Sequence, residues 1–398
     1  MQGSVAIAPA AAFWNSGGRA FRTPPVLPVV VLLLLTAVLR LGLLLRQRAV
    51  LRAQAQAYAL GVVTQRVGLQ LWQQAWPLLL PALAPLPTTP ADTVDASLLL
   101  AGLAIAGWLW ELPAKACKPF AVDAAHGMNR MTVAGFAREQ AIKLAMFVAL
   151  ALPAAWLALW LLARYPQTWW LAVWAIGYTG WALIRAVQPR YLAPLFDAVE
   201  PLPAGELRSR LEALLARCRV DGNQLYLLKA SARSAQANAQ VSGSLARPRI
   251  VLTDTLVATL QPDEIEAVVA HELGHLQRGH LRFQLLMLGS TSLLMLALVA
   301  LLTAAIAEPV AKLAVAWALL PSLWFFALPL ANHWYRRFEF EADESAAANA
   351  SGAALARALR TLTRNNRNAP LADRWYERVY HTHPQTSERL DRLDRAGT

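Results

Sequence analysis

The stretch VVAHELGHLQRGH, Val268 to His280, sets two histidines four positions apart with a glutamate directly after the first. On a helix, positions i and i+4 share a face, so His271 and His275 can both turn an imidazole nitrogen toward one tetrahedral ion. Glu272 then stands beside the pair. A hydrolytic zinc needs three protein ligands, an open position for water and a base to take that water's proton, because the ion brings water's pKa down to about 7. H-E-x-x-H supplies two of the ligands and the base. One Zn2+ per chain is the expected cofactor.

The third ligand must come from elsewhere in the chain. Position 281 is Leu where the extended H-E-x-x-H-x-x-G-x-x-H pattern would need His. His280, five after His275, is expected to face away from it at 100° per residue on a continuous helix. The best remaining source is RRFEFEADESA, Arg336 to Ala346. There Glu339 and Asp343 are four apart and share a face, so Glu339 can ligate while Asp343 accepts the distal N–H of a ligating histidine. Spacing alone leaves Glu341 and Glu344 as rivals, and an ordinary solvated acidic face as the plain alternative for each.

These residues sit in an unusually apolar chain. With 57% hydrophobic and 16% charged residues over 398 positions, and a mean hydropathy of +0.36, it reads as an integral membrane protein. Membrane helices are expected at Val26–Leu45, Val67–Leu86, Ser97–Leu112, Ala141–Ala163, Trp169–Val187, Phe283–Ala307 and Leu313–Trp334, seven in all. The first is read as a retained helix and not a cleaved leader, because its apolar run spans about twenty residues.

The net charge of +12 tests this count. One alternate set of inter-helix segments holds Arg46, Arg48, Arg52 and Arg66, then Lys115, Lys118, Arg130 and Arg138, then the arginine-rich stretches 188–282 and 336–398. The other set holds only Arg19, Arg22, Arg164 and Lys312. Basic residues favour the cytosolic side, so the N-terminus is expected outside and the catalytic segments and C-terminus in the cytosol. The positive charge is thus a topology signal, which argues against a nucleic-acid partner. Cys117 and Cys218 have no metal-like spacing and read as free thiols.

The expected organisation is an N-terminal membrane region (1–187), a cytosolic catalytic segment (188–282), two membrane helices (283–335) and a C-terminal catalytic segment (336–398). Soluble elements are expected only in the cytosolic stretches. They are an amphipathic helix over Pro203–Arg219, strands at Gln224–Lys229, Ala237–Val241 and Arg249–Thr253, a helix from Pro262 through the H-E-x-x-H segment, and a further helix from Arg336 to about Ala350.

Several motifs carry a family resemblance in order: HGMNRMT (His126–Thr132), PRYLAPLFDAVEPLPAGELR (Pro189–Arg208), SARSAQANAQVSG (Ser231–Gly243), RIVLTDTL (Arg249–Leu256), VVAHELGH (Val268–His275), FEFEAD (Phe338–Asp343) and HPQTSERL (His383–Leu390). From about Glu111 to Leu393 the chain resembles the type I CAAX prenyl endopeptidases, seven-helix integral-membrane zinc metallopeptidases. The resemblance implies Glu339 as third ligand and Asp343 as support for His271 or His275. It also implies a peptide lying along the Asn238-Ala239 backbone by β-augmentation, and His383 and Arg389 facing the zinc to steady the oxyanion or the substrate carbonyl. The implied fold is a helical membrane protein enclosing a chamber, with a small cytosolic α+β zincin-like domain. Gln236 and Gln240 depart from the family pattern, at positions on the expected substrate groove.

The leading function is therefore a membrane zinc endopeptidase acting near the C-terminus of peptides, prenylated ones included, with Glu272 as the base. A membrane quality-control protease of HtpX type would keep the chemistry and change the purpose; the seven-helix count and the Pro189–Arg208 match favour the prenyl type. A non-catalytic zinc site would not need Glu272, and a transporter would want its polar motifs inside the spans. The fifteen tryptophans fit interfacial anchoring.

Overall fold

The computed structural model describes residues 26–83, 93–187, 191, 198–220, 224–244, 247–369 and 371–396. The membrane region begins with α1 (Val26–Ala53), α2 (Ala57–Leu83) and α3 (Thr93–Trp110). A short α4 (Leu112–Cys117) runs into a π-helical turn, Lys118–Asp123, and α5 (Val133–Arg164) and α6 (Trp169–Val187) follow. Between α6 and the next long helix come β1 (Val199–Pro201), α7 (Glu206–Arg217), β2 (Leu225–Leu228), β3 (Ala239–Ser244), β4 (Arg247–Thr253), α8 (Asp254–Thr259) and α9 (Pro262–Gln277). Helices α10 (His280–Leu302) and α11 (Pro309–Asn349) return through the membrane, and α12 (Gly352–Asn365), α13 (Arg374–Tyr380) and α14 (Thr386–Ala396) close the fold.

Six helices are long and apolar enough to cross a membrane among the described residues: α1, α3 with its continuation to Asp123, α5, α6, α10 and α11. The seventh expected span, Val67–Leu86, lies on α2 as far as Leu83, and its last residues fall outside the described ones. α2 is diluted by glutamines that turn into the protein. Gln74 donates to Thr36 Oγ1 (2.7 Å) and Ser322 Oγ (3.2 Å), Gln65 to the Ala114 carbonyl (3.0 Å), and Gln70 accepts from Tyr380 (3.0 Å). Polar groups turned inward this way lower hydropathy without meeting lipid.

Between α1, α2, α6, α10 and α11 lies a cavity of about 660 Å³ walled by Trp174, Trp181, Trp324, Phe325 and Arg40. Three of the tryptophans thus line an intramembrane chamber, where the sequence alone favoured interfacial anchoring. Arg40 is buried there, donating to the Pro321 carbonyl (3.0 Å) with its guanidinium 5.0 Å from the Phe325 ring centre.

The elements between α6 and α10 form a four-stranded sheet of order β1-β2-β4-β3. β2 and β4 pair in parallel, Leu225 opposite Ile250, while β3 and β4 are antiparallel, Ala239 opposite Leu252. β3 is therefore an edge strand. Leu225, Ile250 and Leu252 point into a core shared with Leu211 and Leu214 of α7, Ile265, Val269 and Leu273 of α9, and Leu355 of α12. Each such side chain contributes about 1.5–3 kcal/mol by leaving water. This core holds α9 against the sheet. α9 starts where expected, with Pro262 in its first turn and the Gln261 backbone N–H donating to Glu264 (3.0 Å).

One expectation is corrected. Instead of a membrane helix ending near Trp334 and a separate helix from Arg336, α11 is a single helix of 41 residues. Pro321 and Pro329 lie inside it without ending it, and at 1.5 Å per residue it extends about 60 Å, enough to carry the FEFEAD segment clear of the bilayer. β1 is a strand the alternation pattern did not reveal, being only 3 residues long.

Candidate metal centre and substrate groove

α9 and α11 cross at Gly274. A Cβ there would stand 2.8 Å from Ser345 Cβ and 3.2 Å from Ala342 Cα, so the two helices approach more closely than any side chain would allow. That approach brings Glu339, one turn N-terminal of Asp343, against the two histidines. His271 Nε2 lies 3.6 Å from Glu339 Oε2, His275 Nε2 3.4 Å from Oε1, and the two Nε2 atoms 3.3 Å from each other.

The outer nitrogens of both rings are engaged. His271 Nδ1 meets Asp343 Oδ1 at 2.9 Å, and His275 Nδ1 meets His280 Nδ1 at 3.0 Å. His280 in turn reaches Glu341 Oε2 through Nε2 at 3.1 Å. With Nδ1–H of His271 donated to a carboxylate, its Nε2 presents a lone pair inward. Two inward imidazole nitrogens and a buried carboxylate then converge, and Glu339 Oε2 has no hydrogen bond of proper geometry. Buried acceptors facing one another are costly without a cation among them, and an N,N,O set of this kind suits a divalent transition metal. The residues fit such an ion.

The expected orientation of His280 is corrected here. α9 ends at Gln277, and Gly279 in the left-handed region (φ +70°) turns the chain back, so the 100° rule does not carry across to His280. Its ring is buried and stacks on Phe338 at 4.2 Å. Glu341, a rival on spacing, stands behind His280 and not at the ion's position.

Arg389 is also buried. Its Nε and Nη2 reach the two oxygens of Asp343 at 2.8 and 2.6 Å, and Nη1 lies 3.2 Å from Glu339 Oε2. His383 Nδ1 is 2.8 Å from the same oxygen on a side chain that stays 65% exposed. The C-terminal HPQTSER segment is thus brought over the helix pair. Glu272 points into an adjoining cavity of about 610 Å³, which His383, Arg389, Asn238 and Ala239 also line. Burial pushes the Glu272 carboxyl above its usual range, with the neighbouring histidines pulling it back.

Asn238 and Ala239 start the edge strand. Thr253 ties this start down, donating from N and Oγ1 to the Asn238 carbonyl (3.0 and 2.9 Å). Asn366 brackets Ala237, accepting its N–H (2.9 Å) and donating to its carbonyl (3.0 Å). Gln236 donates to Tyr58 (3.1 Å), whose hydroxyl donates to Asp123 (3.0 Å). The groove's α1 and α2 contributors, Gln47, Tyr58 and Arg66, escaped the sequence reading because they belong to the stretch that matches the family motifs poorly.

A bundle of membrane helices with a cavity among them, and a His-His-Glu centre in a separate groove beside an open sheet edge, is the arrangement of an integral-membrane metallopeptidase. Residues 201–396 match the profile of peptidase family M48, and residues 52–198 match that of the CAAX prenyl protease N-terminal region, five membrane helices. The chain belongs to this family, in its type I CAAX prenyl protease branch.

Among relatives, the CAAX prenyl protease 1 homolog of Oryza sativa subsp. japonica is 29% identical over 311 residues, covering 75% of this chain and 72% of the relative. The Homo sapiens homolog is 26% identical over 350 residues, covering 74% and 72%. The CAAX prenyl protease 1 of Saccharomyces cerevisiae is 30% identical over 214 residues, covering 53% and 47%. The crystal structure of S. mikatae Ste24p superposes with a TM-score of 0.76 at 23% identity, over 93% of this chain and 99% of that one, so the fold is the same.

Proposed function

We propose that the protein is a zinc endopeptidase that cleaves prenylated, CAAX-type peptides near their C-terminus, with His271, His275 and Glu339 holding one Zn2+. The observation that carries this reading is the convergence of two inward imidazole nitrogens and a buried carboxylate beside Glu272, in a cavity bordered by an unpaired strand edge. Zinc, when bound, supplies Lewis acidity toward a carbonyl and eases the deprotonation of water.

The chain's own groups do the rest. The Asn238-Ala239 backbone aligns an extended peptide as an added strand, which fixes the scissile carbonyl over the helix pair. Glu272 accepts a proton from the attacking water on its carboxylate and passes it to the departing amine nitrogen, a role suited to a carboxyl whose pKa burial has raised. His383, exposed at the cavity mouth, donates to the oxygen on which negative charge grows. Arg389 is a positioning residue: its guanidinium holds Asp343 and Glu339, and through them the orientation of His271.

The match of residues 52–198 to the prenyl protease N-terminal region sets the HtpX-type reading aside. Glu272 in the cavity likewise leaves no reason for a purely structural metal. The arginine distribution supports an N-terminus outside and a centre on the cytosolic face.

The purified protein should cleave a farnesylated CAAX peptide faster than its unmodified twin. Glu272→Gln should retain its metal while kcat falls by about 10²–10⁴-fold. Equal rates on the two peptides would remove prenylation from the proposal, and undiminished cleavage by Glu272→Gln would remove the base.

A further inference from the structure

The cavity among α1, α2, α6, α10 and α11 has one charged group on its wall among the described residues, Arg40, and no carboxylate beside it. A guanidinium at membrane depth is costly unless something compensates it, so the partner of Arg40 is the question. The side chain is 5% exposed and is held on two sides: Nη2 donates to the Pro321 carbonyl at 3.0 Å, and the Phe325 ring centre lies 5.0 Å from the guanidinium carbon. Its Nε–H is buried with no hydrogen-bond partner. Arg40 is thus fixed in place with a donor to spare and no acid on the wall to balance its charge.

Three other polar groups of the wall are already spent within the protein. Trp174 Nε1 donates to Ser292 Oγ (3.0 Å), Tyr178 to the Leu285 carbonyl (2.8 Å), and Gln70 Oε1 accepts from Tyr380 (3.0 Å). The rest of the lining is largely apolar, with Trp181, Trp324 and Leu328 in it. At Gly177 of α6 a Cβ would meet nothing within 4 Å, so the space in front of this wall is open. A volume of about 660 Å³ is ample for a small ligand, and such a lining suits an apolar chain with an acidic end. Depth narrows the choice. Arg40 lies six residues before Arg46 on α1, about 9 Å along the axis at 1.5 Å per residue, inside the apolar run. A bilayer phospholipid would have to sink its phosphate by that distance, whereas the small head of a free fatty acid enters with its chain.

We propose that this cavity binds a free fatty acid from the bilayer, its carboxylate on the Nε edge of Arg40 and its chain along the tryptophans. The site is distinct from the groove that holds Glu272, and the inference does not depend on what is cleaved there. Tyr380 links the two spaces, lining the groove while its hydroxyl bonds to Gln70 on the cavity wall.

The test titrates the full-length protein, in nanodiscs of phosphatidylcholine and alkaline buffer, with dibromostearate and with its methyl ester, and reads the quenching of tryptophan fluorescence. Lipid-facing tryptophans quench in proportion to added probe, so the saturable part reports the cavity. The acid should bind about tenfold or more tighter than the ester. Arg40→Gln should bring the two close to equal, and Arg40→Lys should keep part of the preference. Gly177→Phe, which fills the cavity and leaves Arg40 in place, should abolish the saturable part for both probes; it tests the site even where Arg40→Gln fails to fold. Equal affinity for acid and ester in the parent would overturn the proposal. So would a preference unchanged in Arg40→Gln, or saturable quenching that survives Gly177→Phe. Tighter binding of a brominated lysophosphatidate than of the fatty acid would give the site to a phospholipid head and overturn the fatty acid as its occupant.

Discussion

His271 and His275 are each fixed from behind, one by Asp343 and the other by His280, so that both rings offer the same nitrogen to the same point. The sequence announces the histidines and Asp343, but His280 only becomes a supporting group through the turn at Gly279, which helical periodicity cannot anticipate. A second histidine carries a measurable consequence. His381, half-buried, has its pKa pushed down to about 4, first by burial and then by Arg66, Arg336 and His383 nearby. An unfolded chain titrates this group near about 6.5. Above that pH both states are neutral and stability is complete; as pH falls toward 4, only the unfolded state takes up the proton, and stability is lost. His381→Gln should remove on the order of 1–2 kcal/mol of that loss at about pH 5, read as a smaller drop in melting temperature between neutral and acidic buffer. An identical drop in parent and variant would assign the acid sensitivity elsewhere.

At the scale of elements, the centre depends on how closely α9 can approach α11. Gly274→Ala puts a methyl group against the Ala342 backbone and Ser345, so the helices must separate and Glu339 must retreat from the histidines. Metal affinity should fall by about tenfold or more, and Ser345→Gly should restore part of it in the double variant, as measured by competition with a chelator. Unchanged affinity in Gly274→Ala would mean that the crossing is not what sets the site. Most of these elements are legible from the chain: the spans from apolar runs, α9 from Pro262 and its acidic first turn, the strands of the sheet from alternation. What is not legible has physical causes. β1 is too short to show a pattern, and α11 passes Pro321 and Pro329 without stopping, so a pattern read from the prolines and the change in polarity divides one helix into two.

Across the whole molecule, the first membrane helix and the last catalytic segment are clamped together. Asp373 accepts the Trp375 and Tyr376 N–H groups (3.0 and 3.1 Å), forms an ion pair with Arg46 of α1 at 2.7 Å, and donates its own backbone N–H to Gln47 (2.7 Å). Asp373→Ala removes a helix cap and the ion pair at once, for about 1–3 kcal/mol of stability. Because α13 leads directly to His383, kcat should fall with it, whereas Arg46→Met alone should cost less in both. Loss of stability without any change in kcat would show that the clamp does not govern the catalytic segment. The family motifs identify His383 and Arg389, but this clamp lies outside them and becomes visible only when the two ends of the chain are seen side by side.

The central claim is that one divalent ion is held jointly by α9 and α11. Metal analysis of the purified full-length protein and of Glu339→Gln, both shown to be folded by their melting curves, tests it most directly. The account predicts close to one zinc per chain in the parent and a large loss in the variant after dialysis against a weak chelator. Equal zinc content in the two would contradict it.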